Sequence, residues 1–476
     1  MRRWLMKKLQ GWMPPGGSQS WRGLPLWIVA DVAAMNVFGL LMILAASSVP
    51  YVGTPLKGAL KYSQWSSFEH QLLWLGVGSL LMWFVAIVDY RKVAYRLRRV
   101  LPMLTIALLL VVLAIGLAGG GSRRWITVPI SGLLLQPSEL MKLAAVICGA
   151  SMLSRDEQGL VARRKRALAL AVAHTQLTPR TTGPFGARSA SSREDVLAAA
   201  AAIDMRGTLR RVVVSARYSS KYARYLFVVL LAVALVLAEP DLGTSALLLA
   251  IAGGMLFLGG ATFRWLCGAA GFLVAVLLGS AMSFSYQRNR LLASSLFSSH
   301  SSSLVRLASA AHPSQLGQSI ASLASGGVSG TGLGTGWGRW AIPNAHTDFI
   351  FAIIGQQAGF IGCMVVIVGF GALAWFGMRA AQRAPDRFGS LLAGGITWWI
   401  IVQAFVNIGA VCGFLPITGV PLPFFSYGGT SLIVLMVAVG LVVNVASLGS
   451  RERIPRPRGV PADGARVLPT SPGWGR

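Results

Sequence analysis

Ten mostly apolar runs of about 20 residues, the length that crosses a bilayer as an α-helix, recur along this chain. They begin near Leu26, Gln71, Leu101, Pro137, Tyr222, Leu242, Phe263, Phe349, Leu391 and Phe424. In hydrocarbon every backbone N–H and C=O must find its partner inside the protein, so runs of this kind fold as helices. The fifth and sixth are nearly continuous, broken by Glu239-Pro240-Asp241. Only 12% of the residues are charged, against about 25% in a soluble domain, too few to cover a water-facing surface. The expected fold is all-α: a polytopic integral membrane protein of about ten transmembrane helices, with a long extracytoplasmic loop between spans seven and eight.

An even number of spans puts both termini on one side. If that side is cytoplasmic, 34 of the 43 Lys and Arg lie inside, as the positive-inside rule requires. The same sorting explains the net charge of +28 without nucleic acid. The four cysteines, Cys148, Cys267, Cys363 and Cys412, lie in apolar runs with no metal-ligand or disulfide spacing; they read as buried fillers. Residues 1–25 read as a basic, retained cytoplasmic tail, 26–450 as the membrane domain, and 451–476 as a Pro- and Arg-rich cytoplasmic tail. The stretch 155–224 reads as an Arg-rich, disordered cytoplasmic insertion, with one amphipathic helix near Glu194 to Leu209.

Four extracytoplasmic clusters hold nearly all the unusual residues. The first is Arg123-Arg124-Trp125, followed by Gln136-Pro137-Ser138-Glu139 and Lys142. Outward arginines run against the charge rule and suit phosphate through forked hydrogen bonds. Trp125 suits a sugar face or the membrane interface. Glu139 and Lys142, three apart, share a helix face, as a functional pair or as a packing pair. The second cluster is Glu239-Pro240-Asp241-Leu242-Gly243-Thr244, a helix start with its carboxylates at the positive end, as a site or as a plain cap. The third lies in the long polar stretch from Ser283 to Ala345. It contains Gln315, Gln318-Ser319-Ile320, alternating glycines from Gly326 to Gly336, and then His346-Thr347-Asp348-Phe349-Ile350-Phe351. The glycine spacing fits neither a dinucleotide fingerprint nor a P-loop and suits a re-entrant turn. His346 and Asp348 suit a headgroup or a divalent cation, or a helix cap. The fourth is Gly419-Val420-Pro421-Leu422-Pro423-Phe424-Phe425-Ser426-Tyr427-Gly428-Gly429; it reads as a broken, partly re-entrant helix start that lines a cavity or is buried in protein.

Taken in this order, with ten spans, the motifs resemble the FtsW/RodA (SEDS) family of shape, elongation, division and sporulation proteins. Asn407-Ile408-Gly409, Leu415-Pro416 and Thr418-Gly419-Val420-Pro421 look closer to its division-type, FtsW-like branch. The resemblance implies a peptidoglycan glycosyltransferase of the bacterial cytoplasmic (inner) membrane, with both termini cytoplasmic. Such a protein polymerises lipid II, an undecaprenyl-pyrophosphate-linked disaccharide peptide, during cell division or cell-wall growth. It also implies a class B penicillin-binding protein as partner and a divalent cation, magnesium or manganese. Arg123, Arg124, Trp125, Glu139, Lys142, Gln318, His346, Asp348 and Ser426 form the expected substrate-binding set.

The attacking sugar hydroxyl needs a general base, and the departing pyrophosphate needs cations such as Arg123, Arg124 and Lys142. The family carries its catalytic aspartate in the long loop, at a position that falls near Ala308 here. No Asp or Glu occurs between Asp241 and Asp348. The segment offers Ser298 to Ser303, His300 and His312 instead, and Gly355-Gln356-Gln357 stands where the family usually has Gly-Glu-Glu. Asp348, Asp241, Glu139 and His312 are the substitute-base candidates. Two alternatives stay open: a catalytically silent relative that binds lipid II or scaffolds its transpeptidase partner, and a lipid II flippase.

Overall fold

A computed structural model describes residues 23–47, 66–115, 117–119, 122–127, 134–154, 221–283, 315–343 and 345–452. Among the described residues, ten long helices account for the ten apolar runs. They are α1 (Leu24–Ser47), α2 (Ser66–Ile87) and α3 (Tyr90–Ile115), α4 (137–154) and α5 (Lys221–Ala238). Then come α6 (Leu242–Leu258) and α7 (Phe263–Ser283). A helix α8 (Gln315–Ser325) and a single turn, α9 (Gly338–Ala341), precede α10 (Ile350–Gln382), α11 (Arg387–Val411) and α12 (Gly429–Glu452). Seven of the described helices are long and apolar enough to cross a membrane.

The boundaries move where chemistry other than hydropathy decides them. The third run was expected from Leu101, but α3 starts at Tyr90. Its basic first turns stay helical because Arg and Lys are good helix formers outside hydrocarbon. The tenth was expected near Phe424, yet α12 waits until Gly429, because the prolines at 421 and 423 withhold the amides a helix needs. A small antiparallel sheet, unforeseen in the sequence, joins α3 to α4: β1 (Leu117–Gly119), β2 (Ser122–Thr127) and β3 (Leu134–Leu135), in the order β1-β2-β3. Leu117 faces Trp125, Gly119 faces Ser122, and Ile126 faces Leu135. Residues 155–220, with the expected amphipathic helix near Glu194 to Leu209, lie outside the described residues.

α12 is the most buried of the seven helices long and apolar enough to cross a membrane and packs most extensively on α2. Small residues set that closeness, as in membrane bundles generally: a Cβ at Gly440 would meet the Met82 backbone, and one at Gly78 would meet Met436. Because the chain alternates direction from span to span, all four motif clusters fall at one end of the bundle, at the starts of α4, α6, α10 and α12. The opposite end is tied by another set of groups. The Asn444 carboxamide donates to the carbonyls of Val85, Ala86 and Val88, and its oxygen accepts from Tyr90 N. Asp386 caps α11 through Gly389 N and accepts from the Tyr90 hydroxyl and from Arg91 Nε.

Candidate functional site

The loop from Cys412 to Gly428 is the hub on which the motifs converge. It has no regular structure, and Gly413 (φ 82°) and Gly419 (φ 71°) turn it. Phe424 is held at φ 67°, a left-handed conformation that a non-glycine residue keeps only where packing enforces it. The packing is visible: Phe424 is buried, and a Cβ on Gly39 of α1 would press on its carbonyl. Irregular backbone at this depth must be satisfied by protein groups, and three buried amides from two helices, α11 and α2, do so. Gln403 Nε2 donates to Pro421 O at 2.9 Å. Asn407 Nδ2 donates to Val420 O at 2.8 Å and to Asp348 O at 2.9 Å. From α2, Gln71 Nε2 donates to Ser426 O, and Gln71 Oε1 accepts from Gly428 N.

The same loop is stitched to the start of α10. Ser426 Oγ accepts from Leu422 N and donates to Thr347 O at 2.6 Å, while Tyr427 N donates to His346 O. The His346 and Tyr427 rings meet edge to face, with centroids 5.6 Å apart. Burial pushes the His346 imidazole below its usual pKa, because the cation is disfavoured away from water. Asp348 Oδ2 lies beside Gly419, and the residue is half-buried.

Glu139 and Lys142 face inward from the first turns of α4. Lys142 Nζ sits 2.7 Å from Glu139 Oε1 and 2.7 Å from Oε2, and 3.2 Å from Gln403 Oε1. The Trp399 indole donates to that same Gln403 oxygen and lies under the ammonium, 5.7 Å from ring centroid to Nζ. With side-chain exposures of 1% and 3%, the pair is a buried ionic cluster, and Gln403 links it directly to the hub carbonyl of Pro421. The signal that marks Gln403, Gln71 and Trp399, none of them singled out in the sequence, is an amide or indole alone in an apolar run.

Asp241 is spent locally. It caps α6, with Oδ1 accepting from Thr244 N and Oδ2 from Thr244 Oγ1. The next turn still touches the hub, since a Cβ at Gly243 would strike the Thr418 carbonyl.

The glycine stretch before α10 turns at Gly327, Gly330, Gly332, Gly334 and Gly336, all with positive φ. Gln356 and Gln357, buried in α10, hold it. Gln356 Oε1 accepts from Gly338 N at 2.9 Å, and Nε2 donates to Ser325 Oγ at 2.9 Å. Gln357 Oε1 accepts from Gly334 N. At Gly359 (φ 67°, ψ −164°) α10 opens. The amides of Phe360 and Ile361 then pair with the carbonyls of Gly327 and Val328 instead of their own helix.

The structure therefore brings Glu139, Lys142, His346, Asp348 and Ser426 into one connected network. Gln318 lies half-buried on α8, whose neighbour Ser319 donates to Val411 O at the hub's edge. Trp125 is half-buried on β2, whereas the side chains of Arg123 and Arg124 lie outside the described residues, as do Ala308 and His312. Among the substitute-base candidates within the described residues, Glu139 and Asp241 are buried at 2% and 3% exposure, and Asp348 is the half-exposed one. Among the described residues no three His, Cys, Asp or Glu come together as a metal cluster.

A family model described as "Cell cycle protein", that of FtsW, RodA and SpoVE, matches residues 26–180 and 197–450. Its gap, 181–196, lies within the Arg-rich stretch. The chain is 30% identical over 430 residues to the stage V sporulation protein E of Bacillus subtilis, covering 88% of this chain and 96% of that one. It is 32% identical over 440 residues to the probable peptidoglycan glycosyltransferase FtsW of Mycobacterium tuberculosis, covering 90% and 69%. Among solved structures, the rod shape determining protein RodA of Thermus thermophilus superposes with a TM-score of 0.54 at 22% identity, over 90% of this chain and 97% of that one. A chain of a peptidoglycan synthase complex gives 0.56 at 23% identity, over 90% and 98%. These two likenesses establish the shared fold.

Proposed function

The chain belongs to the FtsW, RodA and SpoVE family of cell-cycle proteins, and from that membership and the hub geometry we propose that it is a peptidoglycan glycosyltransferase that polymerises lipid II. The motif-bearing end of the bundle faces the extracytoplasmic side, and both termini are cytoplasmic. The observation that carries the reading is the single network joining Glu139, Lys142, Gln403, Pro421, Asn407, Asp348 and Ser426. It gives an irregular backbone, rigidly held, with one half-exposed carboxylate at its mouth.

In the reaction a sugar hydroxyl of one chain attacks the anomeric carbon of another. The new glycosidic C–O bond forms as the bond to the lipid pyrophosphate breaks. Asp348 takes the hydroxyl proton, and the leaving pyrophosphate carries away the negative charge. Glu139 and Lys142 act as positioning residues: their charges are spent on each other and on Gln403, so they set the Pro421 carbonyl and with it the hub. Arg123 and Arg124 supply cations for the pyrophosphate. A class B penicillin-binding protein serves as the partner that crosslinks the product; the similarity to a chain from a peptidoglycan synthase complex supports it.

The absence of any carboxylate from Leu242 to Thr347 favours a second reading, a silent relative that binds lipid II or holds the transpeptidase. Purified protein, its partner and lipid II decide between them. Glycan strands from the wild type, lost in Asp348→Asn, support the polymerase with this base. Polymer from Asp348→Asn removes the base assignment. Lipid II binding without polymer establishes the silent relative.

A further inference from the structure

Between the glycine turns and α9 lies a shallow, open surface depression of about 730 Å³ that the proposed chemistry does not use. Its walls include Trp337 and Trp340, which expose 42% and 45% of their surface, together with Arg339, Thr335 and the backbone of Gly334 and Gly336. The Arg339 guanidinium lies 5.0 Å from the centroid of the Trp340 ring, which fixes the indole and puts a charged donor beside it. The depression is preorganised. Gln356 and Gln357 hold the amides of Gly338 and Gly334, and the Thr335 hydroxyl is anchored on Thr331 and Gly332.

Two exposed indoles flanking a guanidinium, a hydroxyl and open backbone are amphipathic in the way a sugar ring is. The ring's C–H face covers an indole, while its hydroxyl and acetamido groups meet polar neighbours. A cationic ligand is disfavoured, because Arg339 lines the cavity and no Asp or Glu occurs from Leu242 to Thr347. A lipid-facing aromatic belt would present indoles along a spanning helix, whereas these flank Arg339 on the single turn α9 beside a polar glycine loop. α9 also runs directly through Ile342 and Ala345 into His346 of the hub.

We propose that this depression binds successive sugar rings of a glycan strand next to the polymerising hub; the identity of that strand as product or acceptor rests on the function proposed above. The test uses the full chain in nanodiscs and a fluorescent β-1,4-linked N-acetylglucosamine tetramer. Saturable binding is expected. Trp337→Ala and Trp340→Ala should each weaken it by about tenfold or more, as truncating a Trp anchor does. Trp340→Phe should keep most of the affinity, and Val328→Ser, on the same loop but outside the depression, should keep all of it. Absent tetramer binding by a folded wild type, or Ala variants that bind as the wild type does, overturn the proposal. So does quenching of Trp337 and Trp340 by bromolipids to the level of the membrane-embedded indoles, which makes them lipid anchors. Assaying lipid II polymerisation in the same samples separates the two readings. Tetramer binding without polymer removes the polymerase and leaves a glycan-binding surface, whereas polymer without tetramer binding removes the depression alone.

Discussion

Lys142 shows how much of the site hangs on single side chains. Replacing it with Ala leaves the Glu139 carboxyl buried without its cation, and Gln403 without one of its two donors. Breaking a buried ion pair from one side costs about 3–5 kcal/mol, so a large fall in the melting temperature of the detergent-solubilised protein is expected. The double replacement Glu139→Gln with Lys142→Met should recover much of that stability and none of the activity, because no stranded charge remains while the Gln403 link is gone. A double variant as unstable as Lys142→Ala would show that the pair is not acting as an isolated buried charge couple. His346 gives a pH signature. Burial lowers its folded-state pKa, so the folded protein resists the proton that the unfolded chain accepts below about pH 6.5. Stability is complete above that value and declines as pH falls towards the folded pKa. His346→Gln should flatten that part of the profile; an unchanged profile would place the titration elsewhere.

At the scale of elements, the glycine stretch and α10 fold as one unit. The family's usual Glu pair is here Gln356 and Gln357, and each amide oxygen accepts a glycine N–H. Gln356→Leu leaves Gly338 N without its partner, at about 1–3 kcal/mol for the unsatisfied group, while Ser325 Oγ keeps its bond to Ser322 O. Amide hydrogen exchange across 326–338 should therefore accelerate. Gln356→Glu should be milder, because a carboxylate still accepts from Gly338 N, although Ser325 Oγ can donate to it only by giving up its bond to Ser322 O. Equal protection in all three proteins would mean that the loop is held elsewhere. Gly359→Ala should loosen the same segment from the other side. Its φ of 67° is unfavourable for any Cβ, and that atom would run into Val328 and Gly330. The spans themselves were legible in the sequence almost to the residue at Leu242 and Phe263, because hydropathy alone ends a helix at a Gly or Pro turn there. The start of α12 was not, since Pro421, Pro423 and the left-handed Phe424 delay it for reasons of backbone geometry.

Across the whole molecule, one end of the bundle carries the chemistry and the other is clasped. Asn444 holds two carbonyls of the last turn of α2 and one just beyond it, and Asp386 holds Tyr90, Arg91 and the start of α11. Asn444→Leu strands those groups at the same depth and should lower the melting temperature more than Asp386→Asn, whose partner Arg91 is 40% exposed and gains little from the pair. The reverse order would mean that the exposed clasp matters more than the buried one. By itself the sequence determined the solvent, the ten spans, the end of the bundle where the motifs gather and the family, because each depends on local runs or on residues in a fixed order. It also marked Glu139, Asp241 and Asp348 as carboxylates of interest, without ranking them. Only the tertiary structure separates their surroundings. Asp241 is consumed by its own helix and Glu139 by Lys142, whereas Asp348 keeps a face towards the exterior. The difference arises from partners such as Gln403 and Asn407, distant in the chain but adjacent in the fold. In a medium without water, the surroundings of each polar group depend on which others the fold brings to it.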